Sequence, residues 1–509
     1  MKHNRTQKSA INAAVAVAAQ CLSLLLSFVA RTVFIANMQR EYLGIGGLFS
    51  NILTVLSLAE LGIGDALVYA LYKPMKEQNR EELKQLIGFA KRVYHIMALV
   101  VAAIGIAVSF FLNDLIKEAP DVQEDLRLIF YFYLANSVCS YLLAYKSLVL
   151  TADQCQYITS LVSQGAKILQ QILQMLVLML FHSFYLYLAC QIFCTVLNNV
   201  VVLRIINKRY PYLKERSKGR LPKEKLNRIG KDVASLSVSK ISGVVANGTD
   251  NIIISKMIGL VEVGLASNYS LIINAVNGIL WQGIRSLMGS IGNFNVDSTL
   301  EHRRSVFDQL QLLSYWLYAM ASVCVIVLAG PFVELCWGAE FLLDGKTVFA
   351  MMLVPYVGGV NFAAYSFRAT MGEFSKIKYF HLAAGILNLV VSVAVAPSMG
   401  LFGVFLATSV TRIFTSELMD GYLVAKKILG KSFWWYAGKY LLLFGVFIVD
   451  LMLTGMVVRL IGFTGITGLL VKGAVCVLCS NGILLAVFGR TAAFKNLLVR
   501  TKSLFFRKK

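Results

Sequence analysis

Apolar runs long enough to cross a membrane recur along almost the whole chain, and they limit its fold more than any other feature. Hydrophobic residues occupy 57% of the 509 positions and charged residues only 15%, which lies outside the usual range of soluble domains. A membrane-crossing helix needs about 20 mostly apolar residues. The sequence therefore predicts an all-α integral membrane protein with about 14 transmembrane helices. The predicted spans are 9–36, 43–71, 88–112, 127–150, 158–181, 183–203, 233–257, 262–290, 309–333, 347–371, 379–396, 401–425, 434–458 and 465–488.

Lysine and arginine are concentrated in alternate loops, and this pattern predicts the orientation of the chain. The net charge is +22. The basic segments include 73–92, 204–231, 426–431 and 490–509, whereas the loop 113–126 is acidic. Positive charge in short loops marks the cytoplasmic side of a membrane protein. Both termini are therefore predicted to be cytoplasmic, and the charge does not indicate nucleic acid as a partner.

The stretch LAELGIGDALVYALYKPM, from Leu58 to Met75, places two acids within the second predicted span. A carboxylate in hydrocarbon is costly, so Glu60 and Asp65 are expected to face the bundle interior or a water-filled path. The glycines between them allow a bend or the close approach of another backbone. Together with Asp250 in the seventh span, these acids are candidates for proton or sodium coupling. No bound cofactor or metal is predicted.

A short internal repeat suggests that the chain is built from two related halves. Gly47-Leu-Phe-Ser-Asn51 in the second span corresponds to Gly264-Leu-Ala-Ser-Asn268 in the eighth span, and duplicated halves are common in transporters. This register predicts two pseudo-symmetric six-helix lobes followed by two added helices. The predicted boundaries are 1–206 for the first lobe, 207–231 for a basic cytoplasmic linker, 232–432 for the second lobe, 433–489 for helices 13 and 14, and 490–509 for a basic cytoplasmic tail.

Polar side chains recur at helical spacing in several spans and predict a wet, cationic path. Residues three and four apart share one face of a helix, and guanidinium groups bind phosphate through paired hydrogen bonds, so an anionic passenger is expected. The predicted substrate-binding cations are Arg31, Lys167, Arg285, Arg368 and Arg412. The predicted polar lining is Gln164, Gln171, Gln174, Asn274, Asn277, Asn361 and Tyr365.

Two structural explanations compete with this reading. Small polar side chains and amides often hold membrane helices together. Arg31, Arg285 and Arg368 lie near predicted span ends, where an arginine can extend its charge to the headgroups.

Motifs of soluble enzymes are absent from the sequence: it contains no Gly-rich phosphate loop, no HExxH and no GxSxG. The nine cysteines fall mostly within apolar runs and are expected to be small buried hydrophobic residues. The sequence therefore predicts a protein that is not an enzyme.

The chain resembles the Wzx-like polysaccharide repeat-unit flippases of the MOP (multidrug/oligosaccharidyl-lipid/polysaccharide) superfamily. The resemblance rests on the Gly-Leu-Phe-Ser-Asn opening at 47–51, on ELGIG at 60–64 followed by DALVYALYKP, and on the six-plus-six layout with a basic linker and two added spans. It implies a MATE/MOP-like bundle of two lobes with a central cavity and alternating access.

The resemblance also implies a substrate and a setting. The substrate would be an oligosaccharide on undecaprenyl pyrophosphate, moved from the inner to the outer leaflet for capsule, O-antigen or exopolysaccharide synthesis. The chain would reside in a bacterial inner membrane and work beside a polysaccharide polymerase and chain-length machinery.

Three other functions remain open at this point. A multidrug or cation antiporter of the same superfamily would favour an acidic and aromatic lining. A membrane polysaccharide polymerase or glycosyltransferase would need a larger outer loop than the dozen residues found here. A scaffold for polysaccharide assembly would not need polar stripes inside its spans.

Overall fold

The computed structural model describes residues 2–60, 62–215, 219, 221–285, 299–370 and 378–505. Within these ranges every regular element is helical, which confirms the predicted all-α fold class. Residues 216–218 and 220 of the predicted linker and 506–509 of the predicted tail lie outside them. So do residue 61, residues 286–290 and residue 371, which belong to three predicted spans. The chain forms two compact units, Met1–Gly264 and Leu265–Lys509.

Ten helices in the described part of the chain are long and apolar enough to cross a membrane, and a bent pair adds an eleventh candidate. The predicted count of fourteen is consistent with this number, because several predicted spans are broken into shorter helices. The second predicted span consists of two short helices, and the eleventh and twelfth share one long segment, Tyr379–Ile428.

The first unit contains the helices up to Met257 and the beginning of the next one. Helix α1 packs on α7, α7 on α8, and α5 on both α8 and α4, while α2 and α3 pack against α9. Helices α9 and α10 therefore pack against helices of the first unit. The predicted lobe boundaries at 206 and 232 stay a prediction. The helices are α1 (Lys2–Asn37), α2 (Arg40–Leu56), α3 (Ile63–Lys76), α4 (Arg80–Ser109), α5 (Leu126–Ala144), α6 (Ser147–Ala152), α7 (Gln156–Phe181), α8 (Phe184–Arg209), α9 (Lys223–Gly248), α10 (Asp250–Met257) and α11 (Leu260–Arg285).

The second predicted span bends where its glycines stand. Helix α2 runs into a 3₁₀ turn, Ser57–Glu60, and α3 starts after Gly62, whose backbone is left-handed with φ 74°. Glycine adopts this conformation without the steric cost that a Cβ would add. Glu60 therefore lies at the end of a turn rather than on a continuous helix.

Helix α2 approaches the beginning of α11 through glycine. A Cβ placed on Gly44 would lie 2.0 Å from the carbonyl oxygen of Leu260, and one on Gly264 would lie 3.0 Å from that of Arg40. Small residues let helices in a membrane approach this closely. Gly264 opens the second copy of the repeat, and it packs beside the segment that leads to the first copy.

The second unit is organised around one long helix, α12 (Leu300–Trp337). Its buried residues form one core with residues of the neighbouring helices, including the fully buried rings of Phe307, Tyr315 and Tyr436. The other helices are α13 (Gly345–Val360), α14 (Phe362–Thr370), α15 (Lys378–Arg412), α16 (Leu418–Leu423), α17 (Phe433–Arg459), α18 (Gly465–Phe488) and α19 (Ala492–Phe505).

Three irregularities interrupt the helices of this unit. Helices α13 and α14 meet at an angle of 42° with Asn361 at the break. Within α15, Gly400 has a non-helical backbone with φ 58° and separates the two predicted spans at 379–396 and 401–425. Two π-helical turns, Ile413–Glu417 and Val424–Ile428, flank α16, and π turns occur mostly as single bulges within α-helices.

The two added helices, α17 and α18, are joined by a buried carboxylate. Ser480 Oγ donates to Asp450 Oδ2 at 2.6 Å, and Thr454 Oγ1 donates to Asp450 Oδ1 at 3.0 Å. All three side chains have no exposed surface. Asp450 is thus satisfied by hydroxyl groups, and α18 also packs on α12.

Candidate functional site

Two ion pairs lie beside the α13–α14 bend in the second unit. Arg368 Nε lies 2.9 Å from Asp420 Oδ1, and the two side chains are 6% and 4% exposed. Arg412 Nη2 lies 3.3 Å from Glu417 Oε1. Because burying a charge without a partner costs several kcal/mol, Asp420 makes the burial of Arg368 possible, while Glu417 pairs with the half-buried Arg412.

Asn361 links the second ion pair to the neighbouring helix. Its Nδ2 donates to Glu417, while the hydroxyl of the buried Tyr436 donates to Asn361 Oδ1. Asn361 stands where the helix breaks, so its side chain can extend sideways toward both partners. The result is a connected polar network in an otherwise apolar core.

Aromatic side chains cover the other side of the same cluster. The Arg368 guanidinium carbon lies 5.5 Å from the centre of the Tyr365 ring, in the range of cation–π attraction. Trp281 packs against Tyr365 and Phe362, with ring centres 6.0 and 5.4 Å apart. His381 of α15 lies within electrostatic reach of the two arginines.

The structure therefore brings together four of the residues selected from sequence, Asn361, Tyr365, Arg368 and Arg412. It adds an acid that the sequence reasoning missed, Glu417. Two of the five predicted substrate-binding cations are paired with acids in this arrangement. Their role as substrate ligands remains a prediction.

In the first unit, two of the predicted lining glutamines hold helices together. Gln171 Nε2 donates to Ser27 Oγ at 2.6 Å and to the Ser23 carbonyl at 3.3 Å. Gln174 Nε2 donates to the Tyr187 carbonyl at 3.1 Å. Gln171 and Gln174 are only 7% and 5% exposed, so these bonds fit the packing explanation. Gln164, half-buried on the same helix, has no such bridging bond in the described residues.

The cations of the first unit differ in their surroundings. Lys167 is exposed near the middle of α7, and one turn before it Ser163 Oγ donates to Asn198 Oδ1 at 3.3 Å. Arg31 is half-buried on α1, within electrostatic reach of Tyr133 and Tyr187.

The three candidate coupling acids are separated. Glu60 accepts a hydrogen bond from Tyr141. Asp65 is exposed at the beginning of α3, within electrostatic reach of Tyr94. Asp250 is buried at the first residue of α10.

The three predicted residues of α11 differ in exposure. Asn274 and Arg285 are exposed, whereas Asn277 Oδ1 accepts from Tyr318 Oη at 3.0 Å. The described residues hold no group of three or more His, Cys, Asp or Glu side chains that could bind a metal ion.

No protein-family model matches the chain, and no curated protein matches it. Several solved structures are similar to it. The lipid II flippase MurJ in an inward closed conformation has a TM-score of 0.65 and 15% identity, covering 93% of this chain and 98% of its own. An inward-facing MATE multidrug transporter of the MOP superfamily has a TM-score of 0.58 and 16% identity, covering 85% and 98%. A mutant of the Vibrio cholerae MATE transporter VcmN has a TM-score of 0.52 and 16% identity, covering 84% and 99%.

At this level of identity, the likeness shows the fold alone. The chain has the fold shared by the MurJ flippase and the MATE transporters, which confirms the predicted MATE/MOP-like architecture.

Proposed function

We propose that this chain is a flippase that moves undecaprenyl-pyrophosphate-linked oligosaccharide repeat units from the inner to the outer leaflet by alternating access. The product would serve capsule, O-antigen or exopolysaccharide synthesis. The proposal places the chain in a bacterial inner membrane with both termini in the cytoplasm. Under this proposal the partners of the chain are a polysaccharide polymerase and chain-length machinery.

The observation that carries the proposal is the exposed lysine near the middle of α7. This helix is long and apolar enough to cross a membrane, and Lys167 is exposed on it. No acid of the described residues forms an ion pair with Lys167. A charge at such a depth faces water or a ligand rather than lipid tails. A diphosphate is a ligand that satisfies this cation.

Two further findings support a lipid-linked passenger. The similar structure with the TM-score of 0.65 bears the name of a lipid II flippase, and it covers a larger share of this chain than the MATE structures do. The added helices α17 and α18 are fixed to each other through Asp450. They would hold the lipid tail.

The predicted site residues take different roles under this proposal. Lys167, which is exposed, would contact the diphosphate. Arg31 and the exposed Arg285 would be further substrate-binding cations. Asn274 and Gln164 would meet the sugars. Glu60, Asp65 and Asp250 would carry proton or sodium coupling.

The test uses the purified chain in liposomes with a fluorescent undecaprenyl-diphosphate oligosaccharide. A reductant that cannot cross the membrane measures the fraction of lipid that reaches the outer leaflet. We expect wild type to move the lipid and Lys167→Gln to slow it by about tenfold or more, the usual effect of losing a charge-assisted hydrogen bond. Lys208→Gln, which removes an exposed charge at the end of α8, should behave as wild type. An inactive wild type or an unimpaired Lys167→Gln variant would overturn the proposal.

A second candidate is a cation or multidrug antiporter. It is favoured by the buried acids Glu417 and Asp420 and by the fold shared with MATE transporters. It predicts efflux of a cationic dye driven by a proton or sodium gradient, with loss of efflux in Glu417→Gln. A chain that moves the diphosphate lipid and leaves the dye gradient unchanged excludes it.

A further inference from the structure

A second basic site lies in the first unit at the end of α4 that is predicted to be cytoplasmic. A cavity of about 990 Å³ opens there between the first turns of α4, the residues before α6 and the segment after α8. Its described lining includes five lysines and arginines and a single acid. The basic residues are Lys84, Lys91, Arg92, Lys146 and Lys214, and the acid is Glu215.

The single acid is already engaged. Glu215 Oε2 lies 2.6 Å from Lys84 Nζ, and this hydrogen bond lowers the pKa of Glu215 below its usual range. The other four cations therefore face the cavity without an acidic counterpart among its described lining residues.

Lys146 is the buried member of the set. Lys146 is only 8% exposed, and its Nζ donates to Asn207 Oδ1 at 2.7 Å. An ammonium group has three donors, so this bond leaves two for a ligand. Burial, and then the charges of Lys91 and Lys214, lower the pKa of Lys146. Anion binding would relieve this repulsion.

Tyr212, Glu215 and Lys225, which follow α8 in the chain, contact α4 near the cavity. Lys84 pairs with Glu215, and Lys225 Nζ lies 2.6 Å from Glu82 Oε1. The Arg80 guanidinium lies 5.4 Å from the ring of Tyr212. These contacts hold the described residues on either side of Lys214 against α4, which lowers the entropic cost of binding.

We propose that this cavity is a binding site for a polyvalent phosphate anion. The cluster of cations around a buried lysine provides charge-assisted donors for phosphate oxygens. The volume is well above that of one orthophosphate, and it admits a diphosphate or a phosphorylated headgroup. The anion is either a lipid phosphate of the inner leaflet or a soluble phosphorylated compound. The site is independent of the flippase proposal, because none of its residues belongs to the predicted transport path.

Gly88 offers a way to block the site without changing its charge. It lines the cavity on α4, and a Cβ placed on it would meet no atom within 4 Å. A leucine at this position would extend from that open space into the cavity and fill part of it. Gly230 on α9 is a matched control, since its Cβ would also meet nothing within 4 Å and it does not line the cavity.

Binding of inorganic pyrophosphate to the full chain in neutral detergent, measured by calorimetry, tests the site. We expect Gly88→Leu and the double variant Lys91→Gln/Lys214→Gln each to weaken binding by about tenfold or more. Gly230→Leu and Lys231→Gln should bind as wild type. Equal affinity for pyrophosphate in all five proteins would overturn the proposal. So would a wild type that binds neither pyrophosphate nor, in the lipid experiment described next, phosphatidic acid.

A second arm identifies the source of the phosphate. The same variants are placed in nanodiscs of a neutral lipid with or without phosphatidic acid, and retained lipid is counted by native mass spectrometry. Retention of phosphatidic acid that is lost in Gly88→Leu assigns a lipid headgroup. Pyrophosphate binding without such retention assigns a soluble phosphate compound. Either result supports the site, and neither depends on whether the chain moves lipid.

Discussion

Arg368 Nε and Asp420 Oδ1 lie 2.9 Å apart between two side chains that are almost completely buried. Together with the pair formed by Arg412 and Glu417, they place two positive and two negative charges in the core of the second unit. The charges of the two ion pairs therefore compensate each other within the second unit.

Removing one partner of this pair should be far more costly than removing both. We expect Asp420→Leu to destabilise the protein by about 3–5 kcal/mol, because it leaves a buried arginine without its counter-charge. The double variant Arg368→Met/Asp420→Leu should recover most of that loss. Thermal unfolding in detergent checks this, and a double variant no more stable than the single one would contradict it.

The hydrogen bonds of Asp450 should hold α17 to α18. We expect Asp450→Ala to lose about 1–3 kcal/mol, since two hydroxyl groups then lack their acceptor, and Ser480→Ala to lose less. In a double-mutant cycle the two losses should not add, because the residues share one bond. Thr467→Ala, an exposed threonine of α18, is the control. Additive losses would show that the serine does not act through Asp450.

Close approach at Gly44 predicts a sharp difference between two glycines. A Cβ on Gly44 would lie 2.0 Å from the Leu260 carbonyl oxygen, whereas one on Gly88 would meet nothing. Gly44→Ala should therefore lower the stability by about 1–3 kcal/mol or more through overpacking. Gly88→Ala should be neutral or stabilising because alanine favours a helix. The melting temperatures of the two variants measure this difference directly.

Phosphate binding should weaken at alkaline pH in a way that depends on Lys146. Lys91 of α4 and Lys214 after α8 face this group, and burial together with these charges lowers its pKa. Only the protonated form of Lys146 attracts an anion, so the affinity for phosphate falls as the pH rises through this lowered pKa. The fall therefore begins at a lower pH than for an ordinary lysine, whose pKa is about 10.

Lys146→Arg keeps its charge throughout this range. The ratio of the wild-type Kd to the Lys146→Arg Kd should therefore increase between about pH 7 and pH 10, and the ionisation of pyrophosphate itself cancels in the ratio. A constant ratio would mean that Lys146 does not contact the anion.

The apolar runs predicted the helices well because length and hydrophobicity alone decide whether a segment can cross a bilayer. The two glycines between Glu60 and Asp65 likewise predicted a break, and the left-handed Gly62 provides it. The orientation of the chain and the passenger remain predictions.

The polar stripes were less informative, for a physical reason. Lys167 and Gln171 are one turn apart on the same face of α7, yet Lys167 is exposed and Gln171 is 7% exposed and bound to α1. A helical repeat identifies a face, but it does not tell which part of that face packs against a neighbour.

Glu417 escaped prediction because of local helix geometry. On a regular α-helix, residues five apart point about 140° away from each other, so Arg412 and Glu417 would not meet. The π turn at Ile413–Glu417 contains one residue more per turn and brings them together. The sequence carries no plain signal for that turn.

The same π turn makes this segment tolerant of a change in chain length. Losing one residue among 413–416 would leave the Arg412 and Glu417 side chains four positions apart, a spacing at which a regular α-helix also pairs them. Helix α16, which follows the π turn, would keep its orientation about its axis, and Asp420 would still point toward Arg368. Losing one residue from the regular turn of α16 ahead of Asp420 would instead rotate that carboxylate by about 100°. Natural variation in length should therefore collect at the π turns and avoid the short helix between them.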